Sequence, residues 1–147
     1  MKKNLYRHIR KMSTYIMKFD GGSRGNPGLC GIGAVLYKNN NEIWSTSEIV
    51  SRHNTNNFAE YKALISGLNK ASELKIKDLH VIGDSQLVLN QVFGDWNVKN
   101  KQLKQLHNEA SQYVNKFETI SFNHVKRNNN KRADELANIA MDKFTIG

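Results

Sequence analysis

Four acidic residues stand where side chains from distant parts of a chain can act together. Asp20 closes the alternation Tyr15, Met17, Phe19 and precedes Gly21-Gly22. Glu60 stands at the head of a long amphipathic segment, Asp84 follows Val81-Ile82-Gly83, and Asp134 lies in the first turn of the closing segment. Each alone has a structural use. Asp20 suits an Asx turn before the glycines, and Asn57-Phe58-Ala59-Glu60 is spaced like a capping box. Asp84 suits an N-cap, and Asp134 suits the positive end of a helix dipole. Together they can do more. Strand ends and helix starts of an α/β sheet gather at one edge, where ligands usually bind. Four carboxylates there repel one another unless cations are present. An all-oxygen donor set suits Mg²⁺ or Mn²⁺ over zinc or copper. Two such ions about 4 Å apart clamp the attacking and leaving oxygens of a phosphodiester.

The charge balance supplies a partner for that chemistry. The 147 residues carry Lys+Arg 22 against Asp+Glu 13, a net +9 that favours a polyanion. A basic protein with an acidic metal pocket has the composition of a nuclease. Hydrophobic residues at 39% and charged residues at 24% support one folded domain and leave no room for two. No run reaches the roughly 18–20 apolar residues of a membrane-spanning helix. The single cysteine, Cys30, excludes an intrachain disulfide and a cysteine zinc cluster. A monomer working in the cytoplasm, away from membranes, is expected.

Positioning these acids requires a defined order of elements. Residues 1–13 carry five cations and no acid, and are expected to be a disordered basic arm, with organelle targeting as the other use of such a segment. The remaining residues, 14–147, read as the domain. Thr14–Asp20 is expected to be a strand ending at the glycines, and Gly31–Tyr37 and Glu42–Val50 a hairpin around Asn39-Asn40-Asn41. Asn57–Leu74 is expected to be helical, Leu79–Ile82 a buried strand and Ser85–Phe93 a helix. Leu103, Leu106, Ala110, Tyr113, Val114 and Phe117 mark another helix, before a strand at Thr119–His124 and a helix at Lys131–Lys143. Three strands followed by these alternating elements predict an α/β fold, a five-stranded mixed sheet with helices on both faces.

Four segments carry a resemblance. Asp20-Gly21-Gly22-Ser23-Arg24-Gly25-Asn26-Pro27-Gly28, Thr55-Asn56-Asn57-Phe58-Ala59-Glu60, Gly83-Asp84-Ser85-Gln86 and Asn130-Lys131-Arg132-Ala133-Asp134-Glu135-Leu136-Ala137 resemble, in order, the motifs of the ribonuclease HI family. The resemblance covers Tyr15–Lys143. It implies a ribonuclease H-like fold, with Asp20, Glu60, Asp84 and Asp134 as metal-binding catalytic carboxylates. It also implies two Mg²⁺ ions, with Mn²⁺ as a substitute, and hydrolysis of the RNA strand of an RNA–DNA hybrid to 5′-phosphate and 3′-hydroxyl ends. Gly21 is expected to let backbone approach the RNA. Asn26, Asn56 and Asn57 match positions that meet 2′-hydroxyls or base edges, and Thr55 and Asn100 match a pocket for a phosphate of the DNA strand.

The chain departs from the family in two places. Only Gly94-Asp95-Trp96-Asn97 separates Phe93 from Val98, so the lysine-rich handle of many members is absent. Hybrid affinity is then expected from elsewhere, such as the basic arm, with Phe93 and Trp96 as stacking surfaces. The segment His124–Asn130 is too short for the family's flexible histidine loop. His124 and Arg127 are both candidates to assist turnover, and Arg127 is favoured because it stands seven residues before Asp134, as in handle-less relatives. Double-stranded RNA is a further partner accepted by such relatives. The alternatives are a resolvase- or transposase-type nuclease on the same fold and a non-catalytic hybrid-binding module.

Overall fold

A computed structural model describes residues 14–146; the expected basic arm, residues 1–13, lies outside them. The elements run β1 (Tyr15–Arg24), β2 (Gly28–Lys38), β3 (Asn41–Asn54), α1 (Asn56–Glu73), β4 (Asp78–Gly83), α2 (Gln86–Val92), α3 (Lys101–Val114), β5 (Thr119–His124) and α4 (Lys131–Ile146). One turn of 3₁₀ helix, Arg127–Asn129, leads into α4. The five strands form one sheet in the order β3-β2-β1-β4-β5. β2 is antiparallel to β1 and to β3, whereas β4 is parallel to β1 and β5 to β4. The mixed sheet expected from the order of elements is the one found.

Strand alternation distributes the helices over two faces. Met17, Phe19, Ile32 and Leu36 join Tyr61, Leu64 and Leu68 of α1 and Leu103 and Leu106 of α3 in the main core. Burying each such side chain contributes about 1.5–3 kcal/mol. The other face of β2 takes α4, with Ala133, Leu136, Ala137 and Met141 buried. A Cβ on Gly33 would overlap the Ala133 carbonyl, so α4 rests directly on the β2 backbone. The β2–β3 hairpin turns at Asn39 and Asn40, both at positive φ (50° and 69°). Asparagine tolerates that conformation, which two-residue hairpins require.

Two strands run four residues past their expected ends, β3 to Asn54 in place of Val50 and β1 to Arg24 in place of Asp20. β1 does not stop at Asp20 but runs through both glycines to Arg24, because its ladder with β2 continues through Gly21↔Ile32 and Gly22↔Gly31. The parallel ladder with β4 does stop there, at Phe19↔Gly83. Asp20 is therefore the first β1 residue beyond β4. Among the described residues, no helix is long and apolar enough to cross a membrane.

Candidate active site

The sheet's own register gathers the acids. Phe19 is level with Gly83, and Gly83 with His124, so Asp20 and Asp84 both emerge where the parallel ladders end. Asp84 need not cap α2, since Ser85 does so, its hydroxyl accepting from the Val88 amide at 3.3 Å. Nor does Glu60 close a capping box. Thr55 is the N-cap of α1 and accepts from the Phe58 amide at 3.1 Å, which places Glu60 beyond the first turn. Glu60 Oε1 instead accepts from the Gly21 amide at 2.8 Å, across the gap between α1 and β1. Asp134 lies in the first turn of α4, as expected.

These four acids line one cleft of about 580 Å³, with Asn56, His124 and Arg127 also in its wall. One oxygen from each of Asp20, Glu60 and Asp84 comes within 4.8 Å of the others. Asp134 stands outside that trio. Its Oδ1 is 3.3 Å from Arg127 Nη2 and 3.3 Å from Asn138 Nδ2.

The crowding has an electrostatic cost. Burial first, then the charges of Asp84 and Asp134, push the Asp20 carboxyl up to about 8. Glu60 is raised well above the usual carboxylate range by burial and then by Asp20 and Asp84. Asp84 is raised by burial, against the opposing pull of a hydrogen bond with Asp20 and the Arg127 charge. A hard divalent cation among these oxygens would remove the repulsion that keeps protons on them. The donor set fits such an ion: all oxygen, no sulfur and no imidazole within the trio.

The remaining expected site residues divide. Asn56 lies in the cleft wall, where its Oδ1 accepts from the Ser23 amide at 3.0 Å. Asn26 Oδ1 accepts from the Asn56 amide at 3.1 Å, which ties the glycine-rich turn to the head of α1. Asn57 is exposed at the start of α1, outside the cleft. Thr55 and Asn100 are both helix N-caps, Asn100 accepting from the Leu103 amide at 3.0 Å. Gly21 has a structural use besides the one expected. A Cβ there would overlap the Ala59 carbonyl, and its amide is committed to Glu60, so the missing side chain serves α1. His124 is exposed, its Nε2 3.3 Å from the Asp84 carbonyl oxygen. Arg127 is 76% exposed at the rim. Phe93 stacks on Phe122 with centroids 5.3 Å apart, whereas Trp96 is 48% exposed.

Three residues of the site were not singled out in the sequence. Asn130 is buried, and its Nδ2 donates to the Phe19 carbonyl at 2.8 Å, joining the head of α4 to the backbone just before Asp20. Asn138 and Arg24 form the cleft wall beside Asp134. The i,i+4 spacing of Asp134 and Asn138 was the available signal for the first of these two.

The family described as "Reverse transcriptase-like" matches residues 18–140. The chain is similar to the Bifunctional protein Rv2228c of Mycobacterium tuberculosis, 41% identical over 128 residues, which are 86% of this chain and 35% of that protein. It thus spans about a third of that relative's length. It is 37% identical to the Ribonuclease H of Hydrogenovibrio crunogenus over 140 residues, 86% of this chain and 94% of that protein. Among solved structures, LC11-RNase H1 in complex with RNA/DNA hybrid superposes with a TM-score of 0.84 at 35% identity, covering 90% of this chain and 99% of that one.

Proposed function

The chain belongs to the ribonuclease H family, and from that premise we propose that it is an endoribonuclease cutting the RNA strand of RNA–DNA hybrids. The products are 5′-phosphate and 3′-hydroxyl ends. The observation that carries the reading is the trio Asp20, Glu60 and Asp84, converged to within 4.8 Å at the end of the parallel ladders in an open cleft. A module that only bound a polyanion would gain affinity by losing those charges.

Asp20, Glu60 and Asp84, with Asp134 beside them, would hold divalent magnesium, or manganese in its place. A pair of such ions, when bound there, would supply activation of the attacking water and stabilisation of the leaving 3′-oxygen. The chain's own residues do the rest. The Gly21 amide keeps Glu60 turned toward the cleft. Asn56, aided by Asn26 and Asn57, presents amide groups that distinguish a 2′-hydroxyl from its absence, as lysines cannot. Thr55 and Asn100, each the N-cap of a helix, are assigned to a phosphate of the DNA strand on the strength of the motif match and the positive end of a helix dipole. Arg127 reaches over the rim to Asp134 and assists turnover.

The deciding measurement is cleavage of labelled RNA–DNA, RNA–RNA and DNA–DNA duplexes with Mg²⁺ and with Mn²⁺. Metal-dependent cutting of the RNA strand of the hybrid is expected. Cutting of DNA–DNA would move the chain to the resolvase or transposase reading, and binding of hybrid without cutting would make it a binding module.

A further inference from the structure

We propose that Arg24 and Asn138 act in series as positioning residues for Asp134, so that β1 orients two of the four carboxylates. The inference rests on the assignment of Asp134 to the metal site. Asn138 lies one turn after Asp134 on α4, and its Nδ2 donates both to the Asp134 carbonyl oxygen, at 2.9 Å, and to Oδ1, at 3.3 Å. A side-chain amide can face either way, and only its NH₂ end attracts a carboxylate. Here the other end is held. Arg24 Nη2 donates to Asn138 Oδ1 at 3.1 Å, and Asp142 Oδ1 holds the same nitrogen at 2.7 Å. A guanidinium on the carbonyl end leaves the NH₂ end for Asp134.

Arg24 is the last residue of β1, and Asp20 is on the same strand four positions earlier. The strand that carries one acid therefore sets the orientation of another, through a pair, Arg24–Asn138, that spans 114 positions of chain. Arg127 binds the same Asp134 oxygen from an exposed position and is free to leave; the Arg24–Asn138 pair holds Asp134 when it does.

The test is calorimetric titration of the metal-free protein with Mn²⁺, alongside kcat and KM on a hybrid. Arg24→Gln and Asn138→Ala are each expected to weaken Mn²⁺ binding about ten-fold, the usual effect of losing a ligand's orienting partner. The double variant should lose no more than Asn138→Ala alone, because the two act in series. Arg24→Lys, which keeps a donor, should recover part of the affinity, and kcat should fall while KM holds. Unchanged Mn²⁺ affinity in Arg24→Gln, with weaker hybrid binding and a shallower salt dependence, would overturn the inference and make Arg24 a phosphate contact. Additive losses would overturn the series arrangement. Should Arg24→Gln fail to fold, full Mn²⁺ affinity in Asn138→Ala would overturn the inference equally. Asp84→Asn is the control: if it too keeps full Mn²⁺ affinity, the metal-site reading fails and not merely this pair.

Discussion

The Gly21 amide donates to Glu60 Oε1 at 2.8 Å, so the backbone of β1 holds the acid that α1 supplies. The contact exists because Gly21 has no side chain to keep α1 away. Gly21→Ala should therefore cost about 1–3 kcal/mol or more through overpacking, and activity should fall as Glu60 moves. At Gly22, the nearest atom to an added Cβ is 3.8 Å away, and Gly22→Ala should stay within about 0.5 kcal/mol of the parent. Thermal unfolding of the two variants checks the contrast, and equal losses would contradict it.

Asp84→Asn keeps the shape of a half-buried side chain and removes its charge. The fold should persist and kcat on hybrid should fall about 100-fold or more. Near-normal turnover by a folded Asp84→Asn protein would remove Asp84 from the site.

Arg127 and His124 separate by kinetics. Arg127 is 76% exposed, and its ion pair with Asp134 contributes about 0–1 kcal/mol at such a position. Arg127→Ala should lower kcat about ten-fold with Tm nearly unchanged. His124 is exposed with one 3.3 Å contact, so His124→Ala should shift stability by no more than about 0.5 kcal/mol. A ten-fold or larger kcat loss in His124→Ala, with Tm held, would transfer the role to His124.

The raised Asp20 carboxyl has a consequence for stability. Its value moves from 3.8 unfolded to about 8 folded, so between those limits the folded state binds the extra proton. The metal-free protein should lose stability as pH rises through that window, with the full loss present above about 8. Asp20→Asn should flatten that slope, leaving the part due to Glu60 and Asp84, and raise the Tm of the metal-free protein at pH 9 by several degrees, while giving little at pH 4. With saturating Mg²⁺ the order at pH 9 should reverse, because the parent gains binding energy that the variant cannot. Differential scanning calorimetry at both pH values reads the sign.

Deletion of residues 1–13 removes five cations. If they bind phosphates, the slope of log K against log salt should fall by no more than about 4–5. An unchanged slope in a hybrid-binding titration would make the arm a passive tail.

Local pattern determined a great deal here. The alternation of Met17 and Phe19, the helical spacing of Leu64 and Leu68, and the Asn39-Asn40 turn each lie within a short window, and each forms as expected. The four acids could be picked out because their types and the short motifs around them are local facts. Tertiary structure decided what holds them. β1 continues past Asp20 because a partner strand supplies its ladder, and no property of Gly21-Gly22 announces that partner. Glu60 meets Gly21 across 39 positions, Asn130 meets Phe19 across 111, and Arg24 meets Asn138 across 114. Periodicity and propensity encode which face of an element is buried, within a turn or two of chain. A hydrogen bond between residues a hundred positions apart depends on register and helix docking, which exist only once the sheet and its helices have packed.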